Sequence, residues 1–307
     1  MSNALESAVS PTTGLALKSA SGLVAPAQAD ATHETAPNRF VEANGYRYAY
    51  RRFGKAGEAP LVFLQRFRGT MDDWDPAITN GLAATREVIL FDNAGVGLSS
   101  GKTPDSVGAM AAHLAAFVEA LKLAKVDLLG FSLGGLVAQQ AASDRSDLIG
   151  RVILAGAGPK GGEGMQSFTP EVTAAATRQV GSADDILFLF FQPSETSQAA
   201  GRAFLARTQS RKLDRDTAST EQTMQAQAKA IGAWGGAPND GYAGLRDIKQ
   251  PVLVVNGSHD IMIPTVNSFL LAQYLPNAQL ILYPDAGHGS QFQYPELFVE
   301  DATRFLS

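Results

Sequence analysis

The chain of 307 residues contains no cysteine. Disulfides, thiolate metal sites and a cysteine nucleophile are therefore excluded, and redox chemistry gives no reading of the compartment. Histidine is scarce, with only His33, His113, His259 and His288. Any reaction that needs an imidazole base must draw on one of these four. No apolar run is long enough to cross a bilayer. The net charge is −5 and there is no clustered basic stripe, so neither a membrane nor a nucleic-acid partner is expected. The remaining composition is that of an ordinary globular protein. At 45% hydrophobic and 18% charged residues, the chain can build one large α/β domain or two small ones.

One stretch carries the chemistry. Apolar, strand-like residues from Val126 to Leu129 lead into Gly130-Phe131-Ser132-Leu133-Gly134, and a helix-like run follows. Gly-x-Ser-x-Gly between a strand and a helix can lift one serine hydroxyl out of the backbone at a tight turn. The turn brings the residues two before and two after the serine nearly into contact, and glycine has no side chain to clash there. The serine then stands at a helix N-terminus, which favours developing negative charge. Without chemistry, the same residues would be a glycine-rich strand-to-helix turn.

Residues 1–38 are rich in Ala, Ser, Thr and Pro and lack a period, which predicts a flexible tail, or one partly ordered against the body. Val24 to Ala31 offers an Ala-x-Ala site. The chain start carries Glu6 instead of a basic cluster, and Lys18 interrupts the apolar stretch. The expected location is cytoplasmic, with export as the alternative. From Arg39 to Phe53 the pattern is a hairpin with Asn44-Gly45 at its turn. Leu61–Leu64, Val88–Phe91, Val126–Leu129 and Arg151–Leu154 read as buried strands, with helical spacing between them from Pro76 and from about Asp105 to Leu123. This alternation predicts an α/β fold, a mostly parallel, doubly wound sheet. It stops after Gly156, where helix-like blocks run to about Trp234, and it resumes at Val252–Val255 and Leu280–Tyr283. The expected division is a core of 39–159 and 246–307 and an inserted helical lid of 160–245. Gly161, Gly162 and Gly164 make one join, and Gly235-Gly236-Ala237-Pro238 lies near the other.

Ser132, Asp260 and His288 each fall in a loop directly after a strand, where parallel sheets collect ligands. Their order, with GFSLGG around Ser132, DNAGVGLSS after the preceding strand, NGSHDIMIP around Asp260 and DAGHGSQFQYPELF around His288, resembles the α/β-hydrolase superfamily. The resemblance covers nearly everything after the tail and is closest to its serine esterases and cofactor-free haloperoxidases. It implies Ser132 as nucleophile, His288 as base and Asp260 as the acid that orients it, with no metal and no cofactor. Glu163 is an alternative acid, and His259 directly precedes Asp260, too close for the two side chains to pair easily. Asp285 is expected to shape its turn, and Asp92 to brace loops.

The oxyanion hole is expected from the backbone N–H groups of Leu133 and Phe67. Most relatives carry His-Gly where this chain has Gln65-Arg66, so Arg66 departs from the pattern. It either pairs with an acidic group on the substrate or faces solvent, and Arg68 has the same two readings. Trp234 and Met262 are further candidate substrate contacts, and the lid residues Leu187, Phe188, Phe190, Phe191 and Phe204 are apolar groups that either pack or touch substrate. A serine in place of aspartate argues for acyl chemistry instead of dehalogenation or epoxide opening. The expected function is hydrolysis of small carboxylic esters or related acyl compounds. Cleavage of a β-diketone carbon-carbon bond, perhydrolase or haloperoxidase activity, and a non-catalytic ligand sensor are the alternatives. The sequence sets no oligomeric state.

Overall fold

The computed structural model describes Gln28 and residues 30–57 and 59–307. The expected tail over residues 1–27 and the start of the Ala-x-Ala stretch lie outside them. Residues 31–38 are ordered against the body, with His33 and Ala36 fully buried there. The reason is hydrogen bonding. The His33 N–H donates to Asn80 Oδ1 at 2.7 Å, and Arg211 Nη1 donates to the carbonyls of His33, Glu34 and Ala36.

A hairpin opens the fold, β1 (Arg39–Ala43) and β2 (Tyr46–Gly54). Its turn residues Asn44 and Gly45 have φ of 52° and 80°, the pair of positive values that a tight hairpin turn demands. Next come β3 (Leu61–Leu64), α1 (Pro76–Ala83), β4 (Glu87–Phe91), α2 (Val107–Ala120), β5 (Val126–Phe131), α3 (Leu133–Asp144) and β6 (Ile149–Ala155). Asp75 caps α1 by accepting from the Ala77 N–H, and Pro76 takes the first helical position, where its missing N–H costs nothing.

Four helices follow between β6 and the next strand. They are α4 (Pro170–Thr177), α5 (Ala183–Phe190), α6 (Glu195–Thr208) and α7 (Glu221–Gly235). The apolar run Ile186–Phe191 is helical through Phe190, and Ser182 caps it with Asp185 in a capping box. Both ends of this insertion meet, because the Gly161 N–H donates to the Trp234 carbonyl at 2.9 Å. The fold closes with β7 (Val252–Gly257), α8 (Val266–Tyr274), β8 (Ala278–Tyr283), α9 (Ser290–Gln293) and α10 (Pro295–Leu306).

The sheet order is β1-β2-β4-β3-β5-β6-β7-β8. The β1–β2 and β2–β4 pairs are antiparallel and the rest are parallel. Strand residues alternate between two cores. Val62, Leu64, Val126, Leu128, Val252 and Val254 face α2, α3 and α8, while Leu61, Phe63, Leu129, Phe131, Leu253 and Val255 face α1 and α10. The strands read as unbroken apolar runs because both faces are covered. Burying each such side chain contributes roughly 1.5–3 kcal/mol. That core holds the carboxyl ends of β3, β5, β7 and β8 in register beside one another.

Candidate active site

At the end of β5 the chain turns at Ser132, with φ 54° and ψ −118°, and enters α3 at once. A non-glycine residue at such a φ is strained, and strain of this kind persists only where the surroundings hold it. Here the Ser132 N–H donates to the Ala155 carbonyl at 2.9 Å, and its own carbonyl accepts from Gly135 at 2.8 Å. The turn is as close as the motif requires. A Cβ on Gly130 would stand 2.4 Å from the Gly134 carbonyl oxygen, and a Cβ on Gly134 would stand 1.9 Å from the Leu64 carbonyl oxygen. The second contact presses the start of α3 against the end of β3.

Two more loops meet this turn. His288 Nδ1 lies 2.8 Å from Asp260 Oδ2, and both side chains are buried. The other carboxylate oxygen, Asp260 Oδ1, accepts from the backbone N–H groups of Met262 and Ile263 at 2.7 and 3.0 Å. Each carboxylate oxygen therefore has a fixed partner. The His288 ring packs against Phe131 and Phe190, with centroids 4.9 and 5.5 Å away. Ser132 and His288 line one cavity of about 650 Å³. A bond from the Ser132 hydroxyl to the imidazole is not among the hydrogen bonds of this structure, and such bonds often tighten only around substrate.

The other histidines lie elsewhere. His259 is exposed, its ring 2.7 Å from Ser258 Oγ; His113 bonds Tyr48; His33 bonds Thr79. Glu163 is exposed, and its backbone carbonyl accepts from Asn267. Asp285 sits at φ 48° in the turn before His288.

The loop after β3 has three successive N–H groups, from Arg66, Phe67 and Arg68. Arg66 donates to Gln65 Oε1 at 2.8 Å, and Arg68 to Gln227 Oε1 at 2.6 Å. The Phe67 N–H has no such partner among the described residues, and neither does that of Leu133 at the start of α3. Arg66 needs no glycine-like backbone, since the left-handed residue of the loop is Arg68, at φ 60°. Nor does Arg66 face open solvent. Its guanidinium lies over the Phe190 ring at 5.3 Å, donates to the Phe67 carbonyl at 2.9 Å and pairs with Asp73 at 3.2 Å. The Arg68 side chain is also occupied, closing the end of α4 by donating to the carbonyls of Ala176, Arg178 and Gln179.

Arg66, Phe67 and Met262 line the cavity with Ser132 and His288. Trp234 does not, which corrects its candidacy as a substrate contact. Its indole is buried in the core beside α3 and donates to the Gly158 carbonyl at 3.2 Å, the one bond an indole N–H can make.

Asp72, Arg215 and Asp216 also line the cavity, and the two carboxylates are tied together by an arginine that does not reach it. Arg51, fully buried, pairs with Asp72 at 2.5 Å and with Asp216 at 3.4 Å, and Arg215 reaches Asp72 at 3.6 Å. Burial pushes Asp216 up to about 6, with Arg51 opposing the shift. Burial, reinforced by Asp216, also holds Asp92 well above the usual carboxylate range. Asp92 braces loops by accepting from the Met71 and Leu98 N–H groups. No local pattern marks Arg51 or Asp216, because their partners are far away in the chain. Among the described residues, no group of three or more His, Asp or Glu side chains could hold a metal ion, and no helix is long and apolar enough to cross a membrane.

The strand-ordered loops and the serine turn define a known class. Residues 59–295 match the model of the alpha/beta hydrolase fold, and the chain belongs to that family of enzymes. A solved structure of an alpha/beta hydrolase fold protein from Chitinophaga pinensis superposes with a TM-score of 0.86 at 45% identity, covering 90% of this chain and 99% of that one. The pimeloyl-(acyl-carrier protein) methyl ester esterase of Aromatoleum aromaticum is 33% identical over 57% of this chain and 72% of its own. Est816, described as an N-acyl homoserine lactone degrading enzyme, is 25% identical with a TM-score of 0.68 over 87% of this chain and all of its own.

Proposed function

We propose that this protein is a serine hydrolase that cleaves small carboxylic esters or related acyl compounds through an acyl-enzyme. The observation that carries the reading is the buried 2.8 Å pair of Asp260 and His288, opening onto the cavity that the strained Ser132 also lines. His288 takes the Ser132 proton as the oxygen attacks the substrate carbonyl, and later returns it to the leaving alcohol. Asp260 keeps the imidazole in the tautomer whose free nitrogen faces the serine, and stabilises the cation that forms. A water, deprotonated by the same imidazole, then releases the acid. The negative oxygen of each tetrahedral intermediate is held by the Phe67 and Leu133 N–H groups and by the N-terminal end of α3. One such donor is typically worth about 3 kcal/mol in the transition state. This chemistry calls for no metal and no cofactor.

Helices α4–α7 act as the lid. Ile186, Leu189, Phe190, Phe204 and Leu205 give the cavity an apolar wall that suits the acyl or alcohol part of the substrate. The names of two relatives, a methyl ester esterase and a lactone-degrading enzyme, point to the same bond type. Fluorophosphonate labelling and a panel of acyl esters test the reading. Ser132→Ala is expected to lower kcat by roughly a millionfold and to abolish labelling. A variant that kept most of the wild-type turnover would remove Ser132 from the nucleophile's role.

A further inference from the structure

The loops that carry Asp260 and His288 are gripped at three points by one short segment, the connection from the end of α5 to the start of α6. The Phe190 carbonyl accepts from the N–H of Gly289, the residue after His288, at 2.9 Å. Gln192 Nε2 donates to the carbonyl of His259, the residue before Asp260, at 2.9 Å. Ser194 Oγ donates to Asp285 Oδ2, in the turn that leads into His288, at 2.6 Å. A second tie supports the third grip. The Gln192 N–H donates to Ser197 Oγ, Ser197 Oγ donates to Gln293 Oε1, and Gln293 Nε2 donates to the Asp285 carbonyl.

The approach is close enough to explain why glycine flanks His288 on both sides. A Cβ on Gly287 would stand 2.8 Å from the Phe190 carbonyl oxygen, and one on Gly289 would stand 2.9 Å from Phe190 Cβ. The Asp285 backbone, at φ 48°, is also held in a conformation that needs external support. Gln192 and Ser194 are absent from the cavity wall, so their bonds to these loops do not serve substrate contact.

We infer that Gln192 and Ser194 are positioning residues, through which the inserted helices set the distance and angle between His288, Asp260 and Ser132. The inference rests on the proposed nucleophile and base. A misplacement of about 1 Å can cost a hundredfold in rate, so one grip on the acid loop and one on the base loop are enough to matter. On this view the insertion holds the acid and base loops in working geometry as well as covering the cavity.

The test uses the full chain and two readouts, the rate of fluorophosphonate labelling and the low-field proton resonance of the His288–Asp260 hydrogen bond. Gln192→Ala and Ser194→Asp are each expected to slow labelling about tenfold, and the double variant about a hundredfold, with the low-field resonance broadened or lost. Aspartate at 194 keeps the cap of α6 but has no proton to donate and repels Asp285. Ser194→Thr restores the donor and is expected to stay within twofold of wild type. Gln222→Ala cuts two bonds that tie α7 to Thr103, far from these loops, and controls for general loosening of the insertion. It too is expected to stay within twofold. A double variant that labels within threefold of wild type and keeps the resonance overturns the inference, and so does an equal loss in Gln222→Ala. If the wild type itself took no label at Ser132, the nucleophile assignment would fail instead, and the resonance alone would decide for or against the clamp.

Discussion

Gly134→Ala tests the geometry of the site at its tightest point. The added Cβ would lie 1.9 Å from the Leu64 carbonyl oxygen, 2.4 Å from the Leu64 carbonyl carbon and 2.9 Å from the Gln65 carbonyl oxygen. Comfortable C···O contacts begin near 3.3 Å, so the start of α3 and the end of β3 must part by more than 1 Å. β3 cannot retreat easily, because it is paired with β4 on one side and β5 on the other. The first turn of α3 moves instead, and with it the Leu133 N–H. The gap between the Leu133 and Phe67 donors then widens, and losing one donor lowers kcat about 10²–10³-fold. Overpacking of this kind costs about 1–3 kcal/mol of stability. For a chain of this size that is a fall in Tm of roughly 2–5 °C. Steady-state kinetics on an ester and calorimetry read the two effects, with Gly232→Ala as the control. Gly232 is an exposed helical glycine with nothing within 4 Å of an added Cβ, so alanine there should stabilise by up to about 1 kcal/mol. Near-wild-type kcat and an unchanged Tm in Gly134→Ala would refute the packing argument and the oxyanion hole built on it.

Asp260→Asn is expected to lower kcat by about 10⁴ with little loss of fold. The two N–H groups on Oδ1 select the amide oxygen there, so the amide nitrogen faces His288 and forces the wrong imidazole tautomer; a loss below tenfold in kcat would contradict this. Trp234→Phe should lower stability by about 1–2 kcal/mol through the lost bond to Gly158 while leaving KM unchanged. Met262→Ala should do the reverse, so parallel KM and Tm measurements on the pair decide which side chain faces substrate. His33 is held down to about 4 by burial and by Arg51, from an ordinary value near 6.5. Between those values the unfolded chain binds a proton that the folded chain refuses, so this contribution to stability is lost as pH falls from 6.5 toward 4. It amounts to about 3 kcal/mol at most. Urea unfolding of His33→Gln should therefore decline less with acid than wild type over that window; parallel curves would show that His33 does not titrate this way.

Local periodicity and chain order are what made the centre of the molecule readable in advance. The buried strands β3–β7, the two-residue hairpin turn at Asn44-Gly45 and the helix start at Pro76 each depend on neighbours in sequence. The serine turn is also local, and the positions of Asp260 and His288 follow once strands end where apolar runs end. What was missed depends on distant partners. The burial of His33 is set by Asn80, Thr79 and Arg211, and the direction of Trp234 by the Gly158 carbonyl, which it shares with Gln139. The Arg66 departure carries no backbone strain, because its neighbour Arg68 takes the left-handed conformation, which the sequence pattern does not show. The helix α8 was overlooked although Val266, Leu270 and Tyr274 recur at helical spacing. A crossover between two parallel strands, β7 and β8, calls for an element there.

The meeting of the insertion's two ends makes it a single excursion from the sheet. Gly161 and Trp234 are joined by a hydrogen bond, so the helices between them form one excursion whose two ends adjoin. A different excursion spliced across that point would have to replace the packing that Met165, Ala230 and Trp234 give the core. Its contents would reshape the cavity and so redirect the range of molecules admitted. A graft that lacks counterparts of Gln192 and Ser194 would bring new walls to an imidazole left without its outer support. Exchange of substrate range and retention of turnover are therefore separable engineering problems in this scaffold, solved by different residues of the same segment.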